Sequence, residues 1–392
     1  MPLFFLSKNC IDAMNLIFSC YNENKIHNAR EGAIMDIREK MFTDDGKWYK
    51  GNLHAHTVNS DGKLTPEKSV LIYKQHGYSF MCLSDHDIYT DLRDQLDSED
   101  FITLPSVEGS IRLLDSSFLN IDVDEYTEGK GYKDYDADTI WDEIFSLGEY
   151  RQMKTHHIHG ILGNKAMQEA AGDNIIKDNE RTPMRVYFDN WDGSQAANIF
   201  SDYLKEKGCF TTYNHPIWSR VEHEDVRGIK GFWGLEVYNY ASVNECGEGE
   251  DTTFLDMLLR KGTDINVFAA DDNHNEGVYP DSFGGFVMVQ ADSLTHENIV
   301  NSLLEGRYYA SSGAQISQWG VKNGSVYVDC AGAKRVNFLF GGKVGVSRTV
   351  VWANEQPLKH VECPIQGVET TVRIEVIDIN DKKAWTNPIR LK

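Results

Sequence analysis

Short apolar runs alternate with helical segments from about residue 48 onward, and this alternation constrains the fold more than any other feature of the sequence. Such a pattern is typical of β-α-β units, in which helices connect the parallel strands of one sheet. A chain of 392 residues is long enough for a large α/β barrel with a small appendage. We therefore expect an α/β fold with a mainly parallel sheet, whose strand-like runs end at 53–56, 81–84, 104–107, 210–213, 235–238 and 267–270.

Helices are predicted between these runs. The clearest one follows Thr65, a suitable N-cap residue, has Pro66 at its first position and ends before Gly77. Three further predicted helices also end just before a glycine, and they cover residues 195–207, 253–261 and 297–305. Together they supply the connections that a parallel sheet requires.

Two stretches interrupt the alternation. The first, at about 110–192, is rich in Asp, Gly and Tyr, and apart from a helix predicted at 140–150 its periodicity is weak. We expect an insertion that covers a site, because long structureless loops are uncommon in compact domains. The second stretch has no strong helix, and its strand-like runs lie at 325–328, 336–340, 349–352 and 371–377. The predicted domains are an N-terminal extension at 1–46, a barrel at 47–312 and a small antiparallel, β-sandwich-like domain at 313–392.

Composition and charge exclude several classes of protein. An apolar fraction of 41% and a charged fraction of 25% are ordinary for a soluble globular protein, and no stretch is long enough to span a bilayer. The formal net charge of -21 repels phosphate backbones, so binding to nucleic-acid polymers is not expected. Seven scattered cysteines without a Cys-x-x-Cys pair argue against a disulfide framework. We expect a cytoplasmic protein that acts on a small molecule and does not bind membranes.

The N-terminal segment carries one competing signal. The run from Met14 to Cys20 ends like a bacterial lipoprotein cleavage site. Asp12 interrupts the apolar stretch, however, and no basic residue precedes Lys8. Export as a lipoprotein is therefore the less favoured alternative to a cytoplasmic location.

Side chains that can bind metal ions follow five of the strand-like runs. The carboxyl ends of the strands in a β/α barrel converge on one face, so residues far apart in sequence surround one point there. Imidazole nitrogens and carboxylate oxygens are ligands that Zn²⁺, Mn²⁺ and Fe²⁺ accept. The sequence therefore predicts a metal centre built from His54, His56, His86, Glu108, His215, Asp272 and His274.

The spacing of two pairs adds to this prediction. His54 and His56 are two residues apart, so both rings project to the same side of an extended segment. The same holds for Asp272 and His274, provided that this segment is also extended. Each motif alone has an ordinary alternative, such as a surface histidine pair or a polar turn. Five such motifs at strand ends in one chain favour the metal centre.

The motifs resemble those of the polymerase and histidinol phosphatase (PHP) domain superfamily. The resemblance covers about residues 48–312 and rests on His54-Ala55-His56-Thr57, Ser60-Asp61-Gly62, Ser84-Asp85-His86-Asp87, Glu108, Asn214-His215-Pro216 and Asp272-Asn273-His274. The chain is similar to the stand-alone metal-dependent phosphoesterase branch, to which carbaryl hydrolase is related. The resemblance implies a distorted seven-stranded β/α (TIM-like) barrel with two or three divalent metal ions, Zn, Mn or Fe, on one face.

The resemblance also implies how the ligands are divided. One metal would be held by His54, His56, Glu108 and Asp272, and another by Asp61, His86 and His274. A third would use Glu108 and His215. The family's further histidine ligand corresponds to Phe118, which cannot bind a cation. Two metals only, a third site completed by water, and a replacement ligand from the insertion all remain open.

The insertion offers such a replacement because residues 155–160 contain three histidines. Simple solvation of these histidines in a polar loop is the favoured interpretation, and contact of one of them with a metal or the substrate, with His156 as the candidate, is the alternative. Asp85 and Asp87 flank His86 and are predicted to orient imidazole N–H groups, unless they are half-exposed turn carboxylates. Arg220 is predicted to bind a phosphate group with its guanidinium, unless it forms a surface ion pair with Glu222 or Glu224.

The favoured function is hydrolysis of a small-molecule phosphomonoester or phosphodiester by metal-activated water, which requires no serine or cysteine nucleophile. An ester, amide or carbamate hydrolase is the first alternative, because activated water also attacks carbonyl groups. A non-enzymatic, metal-stabilised binding module is the second. The complete ligand set argues against this last alternative, because a structural metal centre needs no open position.

Overall fold

The computed structural model describes residues 37–135, 139–275, 281–353 and 356–391. The lipoprotein-like segment that ends at Cys20 and most of the predicted extension at 1–46 lie outside the described residues. Residues Met35–Lys392 form one compact unit of mixed α/β structure with a large sheet. The strands are β1 (Lys47–Asn52), β2 (Phe80–Leu83), β3 (Ile102–Leu114), β4 (Tyr132–Tyr135), β5 (Gln152–Leu162), β6 (Met184–Phe188), β7 (Cys209–Tyr213), β8 (Gly234–Asn239), β9 (Asn266–Ala270), β10 (Phe286–Ala291), β11 (Tyr308–Ser311), β12 (Ile316–Lys322), β13 (Ser325–Gly342), β14 (Arg348–Val351), β15 (Leu358–Pro364), β16 (Glu369–Asp378), β17 (Lys383–Thr386) and β18 (Ile389–Arg390).

The predicted helices are present, with bounds within two residues of those expected except at 140–150, where the helix ends at Leu147. Thr65 caps the first helix by accepting a hydrogen bond from the backbone N–H of Lys68, and Gly77 follows its end with a φ of +77°. No helix of the described residues is both long and apolar enough to cross a bilayer. The α-helices are α1 (Pro66–Gln75), α2 (Arg93–Leu96), α3 (Val123–Tyr126), α4 (Ile140–Leu147), α5 (Lys165–Ala171), α6 (Gly193–Glu206), α7 (His223–Val226), α8 (Tyr240–Glu245), α9 (Thr252–Lys261) and α10 (His296–Leu304).

The strands that carry the predicted motifs lie side by side in the order β1, β2, β3, β5, β7, β8, β9. All of these pairings are parallel except those of β5, which runs antiparallel to both β3 and β7. The carboxyl ends of the other six strands therefore lie at one edge. Among the described residues, no continuous ladder joins β9 to β1. The segments that follow β1 and β9 are joined instead by an isolated bridge, where the backbone N–H of His56 donates to the carbonyl of Asn273 at 3.0 Å.

The predicted insertion at 110–192 is partly sheet. β3 continues to Leu114, and β5 lies between β3 and β7 with residues 155–162 buried. The rest of the insertion, at 115–135, 139–151 and 163–192, is called the excursion here, and its strands β6 and β4 extend the sheet from the end of β3. Its small apolar core includes Ile140, Ile144, Met184 and Phe188. The alternation of polar and apolar residues in β5 was obscured because three of its residues are histidines.

The C-terminal strands are antiparallel, as predicted, but they are longer and more numerous. The runs at 325–328 and 336–340 belong to one continuous strand, β13, whose first half pairs with β12 and β15 and whose second half pairs with β14 and β16. Trp319, Val326 and Phe338 are fully buried in the apolar core of this region. β17 pairs with β11, so the C-terminal strands continue the main sheet. The domain boundary at residue 312 remains a prediction.

Candidate metal centre

The eight predicted ligands lie in one cluster at the carboxyl edge of the sheet. His54 and His56 follow β1 on an extended segment, and their two Nε2 atoms are 3.2 Å apart. Glu108 lies inside β3, where it forms a bridge with His86 from the segment after β2. The eight residues follow or occupy five strands whose carboxyl ends lie at one edge of the sheet, and this parallel arrangement explains why they meet. The remaining members are Asp61, His215, Asp272 and His274.

A buried group of four residues has the closest geometry. The Nε2 atoms of His54 and His56 lie 3.0 and 2.9 Å from Oδ1 of Asp272, and 3.2 and 3.3 Å from Oε2 of Glu108. Four ligands at about 2.0–2.1 Å around a tetrahedral cation are about 3.3 Å from one another, so these separations leave room for an ion at the centre. We refer to these four residues as the inner site.

The polar atoms of the inner site support this interpretation. Oε2 of Glu108 and Oδ1 of Asp272 are buried, and neither accepts a hydrogen bond from any of the described residues. Buried carboxylate oxygens are rarely left in this state, because the lost hydration is costly. They lie close to imidazole nitrogens without the alignment of hydrogen bonds, so the four groups point at a shared position. Such a donor set fits Zn²⁺, Mn²⁺ or Fe²⁺.

Glu236 contacts the His54 ring on its Nδ1 side, away from the inner site. Its Oε1 atom is 3.1 Å from Nδ1 of His54, while Oε2 accepts hydrogen bonds from the backbone N–H of His215 and from the side chain of Asn239. A carboxylate that accepts the Nδ1 proton leaves Nε2 unprotonated and directed at the inner site. Since both oxygens of Glu236 already have donors, we interpret it as a residue that orients a ligand.

A second group of ligands is more exposed. Oδ1 of Asp61 lies 3.4 Å from Nε2 of His274 and 3.8 Å from Nδ1 of His56, and Oδ2 lies 3.6 Å from Nε2 of His86. The side chains of Asp61, His86 and His274 are 54%, 20% and 27% exposed, whereas His54, His56 and Glu108 are completely buried. We refer to Asp61, His86 and His274 as the outer site. Solvent therefore reaches the cluster from the side of the outer site.

The two aspartates beside His86 do not touch an imidazole N–H group. Asp85 accepts hydrogen bonds from the backbone N–H of Thr57 at 2.7 Å and from the hydroxyl of Ser60 at 2.9 Å, so it fixes the turn that carries Asp61. Asp87 accepts one from the backbone N–H of Ser110. Both carboxylates are buried, which corrects the alternative expectation of half-exposed turn residues.

The second oxygen of Glu108 faces three further histidines. Oε1 lies 3.3 Å from Nε2 of His215, 3.4 Å from Nδ1 of His157 and 3.7 Å from Nε2 of His159. Across the antiparallel ladder, Glu108 is opposite His159, and His157 is one pair further along the same face. His157 can therefore supply the ligand that Phe118 cannot. Phe118 itself lies beyond the end of β3, with the guanidinium of Arg151 over its ring.

The structure corrects the choice of His156. Its ring points to the opposite face of β5, where Nδ1 is 2.5 Å from the hydroxyl of Tyr213 and the ring stacks on Trp191 at 4.1 Å. Neighbouring residues on a strand face opposite sides, so His156 and His157 cannot both reach the cluster. His159 is on the cluster side, and its ring packs edge-on against His54 at 4.2 Å. His156 is thus a packing residue.

Two ligands have unusual backbone conformations. Asp272 has a φ of +55°, in the left-handed region, and His215 has a φ of +23°. β9 ends at Ala270, so the extended segment on which Asp272 and His274 were expected to share a side does not exist. The turn instead directs Asp272 to the inner site and His274 to the outer site. Non-glycine residues in these regions are uncommon and are often found at functional sites.

Arg220 is not directed at the cluster in this structure. Its side chain is 68% exposed, and Nη2 lies 3.3 Å from Oε1 of Glu248. This is the surface ion pair that the sequence offered as the alternative, with Glu248 in place of Glu222 or Glu224. The role of Arg220 in phosphate binding gains no support from its geometry.

The charges of the cluster suit a cation. Burial raises the pKa of Glu108 and Asp272, but the surrounding histidines outweigh it and hold both pKa values well below the usual range. Burial lowers the pKa of His86, His157 and His159. Burial also disfavours the charged forms of His54 and His56, but Asp272 and Glu108 outweigh it and raise the pKa of both rings. Ionised carboxylates and neutral imidazoles are the forms that bind divalent metals, so metal binding at these two histidines would release protons.

Comparison with known proteins finds solved structures that resemble this chain with low sequence identity and low TM-scores. No family model and no curated protein matches the chain. The chain is similar to a solved two-domain protein from Bacteroides vulgatus that contains a predicted PHP-like metal-dependent phosphoesterase, with 14% identity over 93% of this chain and 100% of that chain, and a TM-score of 0.38. It is also similar to a protein from Bifidobacterium adolescentis described as a candidate metal-dependent phosphoesterase, with 15% identity over 66% and 97% of the two chains and a TM-score of 0.34. At such TM-scores the likeness carries no argument about this chain.

Proposed function

We propose that this chain is a metal-dependent phosphoesterase that hydrolyses a small-molecule phosphomonoester or phosphodiester. One observation carries the proposal: buried oxygens of Glu108 and Asp272 lie 2.9–3.3 Å from the Nε2 atoms of His54 and His56, without hydrogen-bond partners among the described residues. This is the arrangement of a metal centre. The adjacent outer site is partly exposed, as a reacting centre must be.

We also propose a division of the ligands among divalent ions, of which Zn, Mn and Fe all suit the donor set. The inner site is His54, His56, Glu108 and Asp272, and the outer site is Asp61, His86 and His274. A third ion would use Oε1 of Glu108 with His215 and His157, both within 3.4 Å of that oxygen. The seven strands around the cluster then correspond to a distorted seven-stranded barrel, with the isolated bridge between Ala55 and Asn273 joining its ends.

When bound at such sites, divalent ions lower the pKa of a coordinated water and neutralise charge on a phosphoryl group. The protein's own residues prepare the site for this chemistry. Glu236 keeps His54 in the tautomer that can bind a cation, and Asp85 fixes the turn that presents Asp61. Burial of Glu108 and His56 excludes bulk water from the inner side, so substrate approaches over the exposed outer site.

The location and partners of the protein are part of the same proposal. Five described cysteines, Cys82, Cys209, Cys246, Cys330 and Cys363, are free thiols, which agrees with a reducing cytoplasm. The expected partner is a small phosphorylated molecule. The strongly negative chain offers little attraction to a nucleic-acid polymer or an anionic membrane surface.

Metal analysis combined with a substrate panel tests the proposed function. We expect the purified chain to contain two or three divalent ions and, once reloaded with Zn²⁺ or Mn²⁺, to hydrolyse p-nitrophenyl phosphate or bis(p-nitrophenyl) phosphate. Removal of the ions with a chelator should abolish this activity. Turnover of only p-nitrophenyl acetate or an aryl carbamate would replace the proposal with the carbonyl hydrolase alternative. Metal binding without any turnover would favour the non-enzymatic binding module.

A further inference from the structure

A buried arginine lies on the same face of β3 as the metal cluster. Arg112 follows Glu108 by four residues and Ser110 by two, so all three side chains project to one side of the strand. Ser110 is paired with His157 across the ladder, and Arg112 is the next residue on that face, further from Glu108. The side chain of Arg112 is only 8% exposed. A cation of this kind is seldom buried without a partner.

The carboxylate nearest to Arg112 is more distant than the carboxylates that pair with Arg93 and Arg373. Its nearest carboxylate oxygen, Oδ2 of Asp87, is 3.8 Å from Nη1, and this nitrogen has no hydrogen-bond acceptor among the described residues. By contrast, Arg93 donates to Asp91 at 2.6 and 2.8 Å, and Arg373, whose Nη1 also has no acceptor among the described residues, still donates through Nε to Asp256 at 2.8 Å. Arg112 forms a side-chain hydrogen bond with Tyr150 but has no carboxylate this close, so Nη1 keeps its donors for another acceptor.

Hydrogen bonds hold the Asp87 carboxylate in place, so it does not form a closer ion pair with Arg112. Its Oδ1 atom accepts hydrogen bonds from the backbone N–H of Ser110 at 2.9 Å and from the hydroxyl of Thr182 at 3.3 Å. These contacts fix the carboxylate between two segments. Asp87 thus balances the charge of Arg112 at a distance of 3.8 Å without accepting a hydrogen bond from Nη1.

The other side of Arg112 is formed by aromatic residues of the excursion. The guanidinium lies 5.0 Å from the ring centre of Trp141, which is at the start of α4 and is 37% exposed. Phe145, one turn further along, stacks on Trp141 at 5.8 Å. A guanidinium packed on an aromatic ring keeps its edge donors available for a planar acceptor. The partly exposed ring of Trp141, with Phe145 stacked on it, therefore lies next to the buried guanidinium of Arg112.

We infer that Arg112 is the anion-binding residue of the substrate site, and that its N–H groups bind a phosphate or carboxylate group of the substrate beside the metal cluster. This inference rests on the proposed function and names the class of substrate as a small organic phosphate. Its fork of N–H donors matches two oxygens of such a group. Arg112 takes the role that the sequence suggested for Arg220, which is exposed and paired with Glu248.

The test uses the metal-loaded full chain with two substrates that differ by one anionic group, phenyl phosphate and 4-carboxyphenyl phosphate, and with inorganic phosphate as a calorimetric probe. Arg112→Ala should raise KM or the phosphate Kd about 10- to 100-fold, the range for a lost charged hydrogen bond. An effect on both substrates indicates that Arg112 binds the reacting phosphate. An effect on 4-carboxyphenyl phosphate alone indicates a second anionic group.

Three further variants separate binding from stability. Arg112→Lys keeps the charge beside Asp87 but lacks the planar fork, so we expect an intermediate loss. The double variant Asp87→Asn with Arg112→Gln removes both buried charges together and should fold even if Arg112→Ala does not. The matched control is Arg185→Ala, because Arg185 pairs with Ile111 across β3 and β6, on the opposite face from Arg112, and is held by Asp134. Metal content should be unchanged in all four proteins.

The possible outcomes separate anion binding by Arg112 from phosphoesterase activity. Unchanged KM for both substrates and an unchanged phosphate Kd in Arg112→Lys and in the double variant would overturn the inference while leaving the phosphoesterase proposal intact. If the wild-type chain hydrolyses only carbonyl esters but binds phosphate in a manner that depends on Arg112, the anion site stands and the phosphoesterase proposal fails. Absence of both turnover and phosphate binding would overturn the two together.

Discussion

Nδ1 of His54 lies 3.1 Å from Oε1 of Glu236, and both side chains are completely buried. This contact fixes the ring whose other nitrogen points into the inner site. Glu236→Gln should therefore weaken metal binding about 10- to 100-fold, the usual range for a partner that orients a histidine ligand. A glutamine cannot accept from His54, His215 and Asn239 at once, because its amide nitrogen is a donor. Competition with a chromophoric chelator would measure the change in affinity.

Glu250→Gln is the matched control for this variant. Glu250 bridges to Tyr238 of β8, the strand that contains Glu236, but it is exposed and pairs with Lys383 on the surface. We expect its metal affinity to equal that of the wild-type chain. Equal affinities for wild type and Glu236→Gln would show that the contact with His54 does not matter for the metal.

His157 and His156 offer a direct comparison between two neighbouring residues. His157→Ala should lower the number of bound ions by about one per chain, because it removes a nitrogen 3.4 Å from Oε1 of Glu108. His156→Phe should leave the ion count unchanged, since His156 packs on Trp191 away from the cluster. Elemental analysis after equilibration with excess Zn²⁺ measures both. An unchanged count in His157→Ala would remove the third site from the proposal.

The predictable part of the site was the part carried by parallel strands. His54, Glu108 and Asp272 could be found because each follows or ends an apolar run, and the geometry of parallel strands brings such residues together. His157 was one of the three histidines considered at 155–160 but was not singled out, because β5 is antiparallel and lies within a region of weak periodicity. One signal was available: residues 157 and 159 repeat the i, i+2 histidine spacing of residues 54 and 56.

Glu236 was missed for another reason. It is flanked by Leu235 and Val237 in a completely buried strand, so its sequence context resembles an interior strand with one polar residue. Only the three-dimensional structure shows which donors it meets. The same is true of the left-handed turn at Asp272, which separates it from His274, because aspartate adopts that conformation without a distinctive sequence pattern.

Replacement of inner-site residues tests the cluster as a whole. His54→Ala and Asp272→Ala should each abolish activity and lower metal content, since both remove an atom within 3.0 Å of another inner-site ligand. His296→Ala, at the start of α10, should do neither. Activity on p-nitrophenyl phosphate and elemental analysis provide the two measurements. Wild-type activity in both inner-site variants would refute the assignment.

A buried carboxyl group outside the cluster predicts how stability changes with pH. Burial raises the pKa of Asp251 to about 8; the hydrogen bond from the backbone N–H of Ile217 and the charge of His215 oppose it, while Glu236 and Glu250 add to it. Between about pH 4 and pH 8 the unfolded chain is ionised at Asp251 while the folded chain keeps the proton. The free energy of unfolding should therefore fall as pH rises through this window, by at most about 1.4 kcal/mol for each pH unit from this group.

Asp251→Asn removes the titration but keeps an oxygen that can accept from Ile217. Its thermal midpoint should match that of the wild-type chain near pH 4 and exceed it increasingly up to about pH 8, where the difference becomes constant. The control is Asp202→Asn, because Asp202 is an exposed residue paired with Lys205. Thermal unfolding of the three proteins across this pH range gives the comparison. A constant difference between Asp251→Asn and wild type at every pH would mean that Asp251 does not retain its proton on folding.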